Sequence, residues 1–216
     1  YDANFNWEEL KNSTVENKIF INPSFTGKLT AVELKNVVFL NGRLGVVDLS
    51  GGAVLDSVVF RGNQITSLNF SGSKLNKVVL EGNLQQQPKI FGPKEEQLAE
   101  PIPLNLNGAI VRDSLLVNNV ILIDSNKNTV IHRTSFIRNN MIGSKMQGVQ
   151  IEKSDITGND ARDSDLRFGS AAGVKIVNNQ VNGAKYPKRR KGRVAIYGNW
   201  ANDPVKEWAG LGVKKL

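Results

Sequence analysis

The sequence predicts an all-β solenoid wound from four-sided coils of about twenty residues. Three observations lead there. Large apolar residues recur at every fifth position, like residues recur at every twentieth, and glycine is frequent two residues after the apolar centres. Between Leu106 and Val181, 15 of 16 fifth positions are hydrophobic, where a 40% hydrophobic composition would give about 6. A period of five suits neither a helix, at about 3.6 residues per turn, nor a strand, at about 2. The residues between centres must therefore turn the chain, and each five-residue unit becomes one side of a coil.

The first run of centres reads Phe5, Leu10, Val15, Phe20, Phe25. Its phase slips by one to Leu29, Leu34, Phe39, Leu44 and Leu49, then slips back near Gly51 and Gly52 to Leu55, Phe60, Ile65, Phe70, Leu75 and Leu80. The second half keeps one phase from Leu106 to Val181, with Asn126 as its polar exception and a place where local irregularity is expected. Two residues before each centre sits a second, mostly small or apolar set, such as Val37, Ala53, Val58, Val78, Ala109 and Val149, which should also face inward. Reading every fourth centre as a column stacks Phe20, Phe39, Phe60 and Leu80, and likewise Leu10, Leu29, Leu49 and Phe70. Asn119, Asn139, Asn159 and Asn179 recur at a spacing of twenty, each two residues before a centre, so their amides can pass hydrogen bonds along the axis. Ser114, Thr134 and Ser154 form a similar short ladder. Sixteen centres in each half predict about eight coils, a stack of roughly 38 Å.

The period is lost from residue 83 to 103, which hold four of the seven prolines. Repeat resumes at once on both sides, so this stretch reads as a protruding loop within one domain (1–184), and its Lys89, Phe91 and Lys94 are candidate partner contacts. Residues 185–216 read as a basic linker and C-terminal cap, with Tyr197, Trp200 and Trp208 as aromatic bulk and a short helix starting at Asp203 and Pro204. The chain starts in repeat at Phe5, and at Tyr1 rather than methionine, which suggests a piece of a longer polypeptide.

The net charge of +8 is concentrated in that tail. Nine basic and two acidic residues after Ala184 give +7, leaving +1 for the body. Within it, Lys188, Arg189, Arg190, Lys191 and Arg193 are candidate contacts to a phosphate-rich or otherwise anionic partner. The competing reading is a solvated connection between the last coil and the cap. No apolar run approaches the eighteen or so residues that span a bilayer.

The absence of cysteine removes disulfides, thiolate nucleophiles and cysteine-ligated metals. The single histidine, His132, follows the inward centre Ile131 and should point outward, with no serine or acid assignable to it as a triad. Asp160, Asp163 and Asp165 could act as paired acids or hold calcium, against a reading as solvated carboxylates on outward positions. Gly210 and Gly212 lack the spacing of a phosphate loop. No catalytic, metal or cofactor residue is assigned, and none is expected for this chain.

The segments "VVDLSG" (46–51), "VVFRG" (58–62), "LNFSG" (68–72), "SDITG" (154–158) and "SDLRF" (164–168) resemble the units of the pentapeptide-repeat family. The resemblance covers residues 3–82 and 104–183 and implies a right-handed quadrilateral parallel β-helix. It also implies a non-enzymatic scaffold or protein-interaction module, in one of two settings. In the first, the β-helix is the partner-binding portion of a secreted bacterial effector, including those that continue into a HECT-like ubiquitin ligase. In the second, a DNA-mimicking protein binds gyrase or topoisomerase IV and gives quinolone resistance, which requires an acidic stripe. A carbohydrate-active β-helix enzyme is a third reading. The location implied is the bacterial cytoplasm or, after secretion, a host cell, and pairing of two copies through an end of the solenoid is a further expectation.

Overall fold

The computed structural model describes residues 10–29, 31–85, 104–117, 119, 121–123, 129–185, 194–201 and 214–215. They form short strands paired in parallel, with no helix longer than a turn among the described residues. One repeat shows how five residues make a side. Strand Val54–Asp56 buries its centre Leu55 between two outward neighbours. Ser57 then takes a φ of 58°, Val58 is buried, and strand Val59–Arg61 begins on the next side with Phe60 inward. A left-handed residue reverses the strand's alternation, so positions three apart both face the core and the chain makes a corner.

That corner recurs coil after coil. The residues two positions after Val15, Leu34, Leu55, Leu75, Val111, Ile131, Ile151 and Ala171 all have positive φ, from Asn17 at 55° to Gly173 at 63°. Glycine was the cue in the sequence, yet Lys77, Arg133, Arg138 and Lys153 adopt the same conformation. For such residues the left-handed region costs about 1–2 kcal/mol, which coil stacking must offset.

Successive coils pair in register. On the first side Val15, Leu34, Leu55, Leu75, Val111, Ile131, Ile151 and Ala171 are consecutive Cα partners, eight levels with about seven turns between first and last. On the second side Phe20, Phe39, Phe60, Leu80, Leu116, Phe136, Ile156, Ile176 and Ile196 form nine levels. The expected phase slips are visible as partner offsets of 19, then 21, then 20 residues, and the insertion lengthens one offset to 36. Phe39 stacks on Phe20 and Phe60 at centroid distances of 5.2 and 4.7 Å, nearly parallel, and Phe60 meets Phe70 edge-on at 6.2 Å.

Two details depart from the sequence reading. Strands Leu104–Asn105 and Ile121–Leu122 pair at an offset of 17, which carries Ile123, 0% exposed, beneath Leu106 where Asn126 had been expected. Asn126 itself lies outside the described residues. Strand Val194–Tyr197, in the segment read as linker and cap, continues the second side in register, and Lys214–Lys215 pairs with Trp200–Ala201. The expected helix at Asp203 lies outside the described residues.

The asparagine column extends beyond its four expected members, from Asn63 and Asn83 through Asn119, Asn139, Asn159 and Asn179 to Asn199. Asn159 is typical. Its Oδ1 accepts the Asn139 backbone N–H at 2.8 Å and the Asn139 side-chain amide at 3.1 Å. Its own Nδ2 donates to the Phe136 carbonyl at 2.9 Å and to Asn179 Oδ1 at 3.0 Å. Every buried polar atom of the column is thereby used, and each corner between second and third sides is tied to the next. In the shorter column Thr134 N–H donates to Ser154 Oγ at 3.1 Å, and each of the Ser114, Thr134 and Ser154 hydroxyls donates to the carbonyl two residues earlier.

Replacing Asn159 by Ala leaves the Asn139 backbone N–H without its acceptor and the Phe136 carbonyl without its side-chain donor, and is expected to cost about 2–4 kcal/mol in urea unfolding, more than Asn199→Ala at the column's end. Replacing Arg138, φ 51°, by Gly relieves its corner and is expected to raise stability by about 0.5–1 kcal/mol in the same measurement.

Candidate interaction surface

The outward residues of the first side stand immediately before and after each buried centre, so parallel register arranges them in two columns. Before the centres come Glu33, Val54, Lys74, Ile110, Val130 and Gln150; after them come Lys35, Asp56, Asn76, Arg112, His132 and Glu152. Two concavities open on this side. One of about 540 Å³ runs from Glu33 and Lys35 to Ile110 and Arg112, and one of about 650 Å³ runs from Arg112 to Ala172. Arg112 lines both, so the two adjoin there and make up a trough of two concavities along the axis. Half-buried Val54, Ile110 and Val130 give it a narrow apolar floor.

Most of its charges are already paired. Lys35 lies 3.1 Å from Glu33 and 3.4 Å from Glu16, and these hydrogen bonds hold its pKa above the ordinary lysine value. Arg133 donates to Asp113 from Nε and, at 2.8 Å, from Nη2, which pushes the Asp113 carboxyl below the usual range. His132 Nε2 is 3.8 Å from Glu152, which also meets Lys153 at 3.6 Å. Asp56 accepts from Asn76 at 2.7 Å. Lys74 and Arg112, exposed at mid-trough on adjacent strands, have no ion-pair partner among the described residues. They are the trough's uncommitted cations. The sequence reading missed them because Lys74 and Arg112 become neighbours only when the columns are read across the insertion at a spacing of 36.

The residues suspected of chemistry do not assemble. Asp160, on the third side, is held by Arg162 at 2.7 and 2.9 Å. Asp165, on the fourth, is held by Arg167 at 2.6 and 2.8 Å and by the Gln147 amide. Asp163 is a corner residue with φ 55°. Each carboxylate of the suspected pair is thus saturated by its own arginine two residues on. Among the described residues no group of three or more His, Asp or Glu is placed to hold a metal ion. The proposed contacts Lys89, Phe91 and Lys94 of the loop, and Lys188, Arg189, Arg190, Lys191 and Arg193 of the tail, lie outside the described residues.

Acidic charge is likewise neutralised. Of eleven described acids, nine (Glu16, Glu33, Asp48, Glu81, Asp113, Glu152, Asp155, Asp160 and Asp165) form ion pairs with basic residues. No stripe of free carboxylates of the kind a duplex mimic needs is formed by these residues. No described helix is long and apolar enough to cross a membrane.

Asp165 provides a pH test. Arg167 lowers its pKa against the opposing effect of partial burial, with further hydrogen bonds from the Arg167 backbone and Gln147. A folded-state pKa below the unfolded one gives stability that is complete above about pH 4 and lost as pH falls through the folded value. Asp165→Asn is expected to flatten the acid limb of stability below about pH 4; an unchanged limb would remove Asp165 from the acid response.

No protein-family model matches the chain, and no curated protein matches it. Among solved structures it is similar to trypsin-treated QnrB1, a plasmid-mediated fluoroquinolone resistance protein, at 13% identity over 94% of this chain and 99% of that one, with a TM-score of 0.31. It is similar to HetL, a pentapeptide-repeat protein involved in heterocyst differentiation regulation from the cyanobacterium Nostoc sp. strain PCC 7120, at 10% identity over 88% and 92%, with a TM-score of 0.35. An alginate lyase of family PL6 matches at 15% identity over 96% of this chain and 59% of that one, with a TM-score of 0.34. These scores carry no inference about activity. With in-register parallel stacking near every twenty residues and an apolar centre near every five, the chain is a parallel β-solenoid.

Proposed function

We propose that the chain is a non-enzymatic scaffold that binds a protein partner along its first side, as a module of a larger secreted bacterial effector, including the HECT-like ubiquitin ligase type. The observation that carries this reading is the trough: an apolar floor of Val54, Ile110 and Val130, rims of paired charges, and two uncommitted cations, Lys74 and Arg112, at its centre. Such a surface suits an extended segment that brings small apolar side chains and an acidic group. Its corners are fixed by backbone geometry and its coils by continuous ladders, so the partner meets a preformed surface. The saturated state of Asp160 and Asp165 supports a binding role over a hydrolytic one.

The duplex-mimic alternative is disfavoured by the ion pairing of nine described acids. Purified chain is expected to leave gyrase supercoiling unchanged, and inhibition would reinstate that reading. The effector reading requires an open reading frame that continues on at least one side into a further domain. For the trough, Lys74→Glu combined with Arg112→Glu is expected to weaken the partner at least tenfold in a binding titration, with unfolding unchanged. Equal affinity for both chains would move the interface elsewhere.

A further inference from the structure

The second side presents a different surface. On its first five levels the outward residue before each centre is Ile19, Val38, Val59, Val79 and Leu115, consecutive partners in parallel register, with Ser135 on the sixth. The residue after each centre is Ile21, Leu40, Arg61, Glu81, Val117 and Ile137, of which Val117 is already buried, at 6% exposure. Ile19 and Ile21 are 68% and 48% exposed. The outer face of a sheet whose inner face is core is ordinarily polar, and on the first side Val54, Ile110 and Val130 are interspersed with charged and amide residues. Here the first six levels carry only Arg61, Glu81 and Ser135 as polar residues, and the seventh turns polar at both positions, with Asp155 and Thr157. The result is an apolar strip about 24 Å tall with a single ion pair at its middle, Arg61 to Glu81 at 2.7 Å.

We propose that this strip is a homodimer interface, in which a second copy of the chain packs face to face about a two-fold axis lying along the strands, midway between the levels of Phe60 and Leu80. The operation sets the third level against the fourth, the second against the fifth and the first against the sixth, and keeps each residue's place along the strand. Val59 then faces the partner's Val79, Val38 faces the partner's Leu115, Ile21 faces the partner's Ile137, and Leu40 lies over the level of the partner's buried Val117. Arg61 faces the partner's Glu81 and Glu81 faces the partner's Arg61, so the two ion pairs close into a square of alternating charge. Apolar meets apolar everywhere else except at Ile19, which meets the partner's Ser135.

Other placements lose this match. Moving the axis up one level sets Leu40 against the partner's Arg61 and Ile21 against the partner's Glu81. Turning the axis parallel to the solenoid sets Arg61 against the partner's Val59. Both strand a charge on an apolar side chain, so the sequence selects one arrangement and penalises its neighbours. The Asp155 level falls beyond the partner's strand Thr14–Ile21. The strip is smaller than the roughly 800 Å² per partner of a standard interface, so the dimer is weak and forms in the range of tens of micromolar.

Equilibrium sedimentation across a concentration series tests this. The wild type is expected to move from 23.7 kDa toward twice that mass, and Arg61→Glu or Glu81→Arg alone to weaken association at least tenfold. An equimolar mixture of those two variants is expected to associate again, because each like-charged strip meets its opposite. The double variant R61E/E81R, with the pair reversed in place, is expected to match the wild type and shows that the substitutions are tolerated by the fold. A wild type that stays monomeric at several hundred micromolar, single variants that associate as the wild type does, or a mixture that stays monomeric would each overturn the proposal.

Discussion

The left-handed residue that follows the inward centres of the first and second sides by two positions is the constraint from which the rest of this molecule follows. It turns the strand before a fourth residue can extend it, and it brings the residue after the corner back into the core. Without it an apolar residue at every fifth position would alternate between faces. With it, the centre and the residue two before it both point inward, and three residues per side face outward, two on the strand and one at the corner. The conformation is unfavourable for Lys77, Arg133, Arg138 and Lys153 taken singly. It persists because every corner is hydrogen-bonded to the same corner of the adjacent coil, as Arg133 N–H is to the Glu152 carbonyl at 3.0 Å.

The asparagine column closes this arrangement where it is most exposed to failure. A corner that leaves the strand direction frees backbone groups inside a dry core, and Asn139, Asn159 and Asn179 return a carbonyl and an amide to each of them. A purely apolar column would leave those groups unsatisfied. The cost is specificity of spacing: one residue more or less in a coil moves the amide away from its partner. The 19- and 21-residue offsets fall in the first coils, and the column begins only below them, at Asn63. Regularity and the ladder go together.

Because two strand residues per side face outward, besides the corner residue, each side of the solenoid is a surface that can vary without touching the core. The first side uses this freedom for paired charges around Lys74 and Arg112, the second for β-branched apolar residues around one ion pair. Much of this was legible in the sequence. The period, the two phase slips, the aromatic column and four of the seven asparagines could be read directly. Asn63 and Asn83 were hidden by the insertion and Asn199 by the basic run that interrupts the period before it. The corner at Arg138 was hidden because glycine, a permissive residue, is only one of the residue types that the stacking enforces there. Ile123 displaced Asn126 because the core takes the nearest apolar side chain, whatever the count of residues between. The surfaces were least legible, since neighbours such as Lys74 and Ile110 lie 36 positions apart and are joined only by register.

Both surfaces therefore depend on register being kept across the insertion, and the absence of cysteine allows it to be tested cleanly. Lys74 and Ile110 are Cα partners with both side chains outward, whereas Val111 on the same strand points into the core. Under mild oxidation K74C/I110C is expected to form an intramolecular disulfide in the folded protein, and K74C/V111C to remain reduced. Cross-linking of the second pair in preference to the first would shift every later level by one residue, and neither the trough nor the apolar strip would survive it.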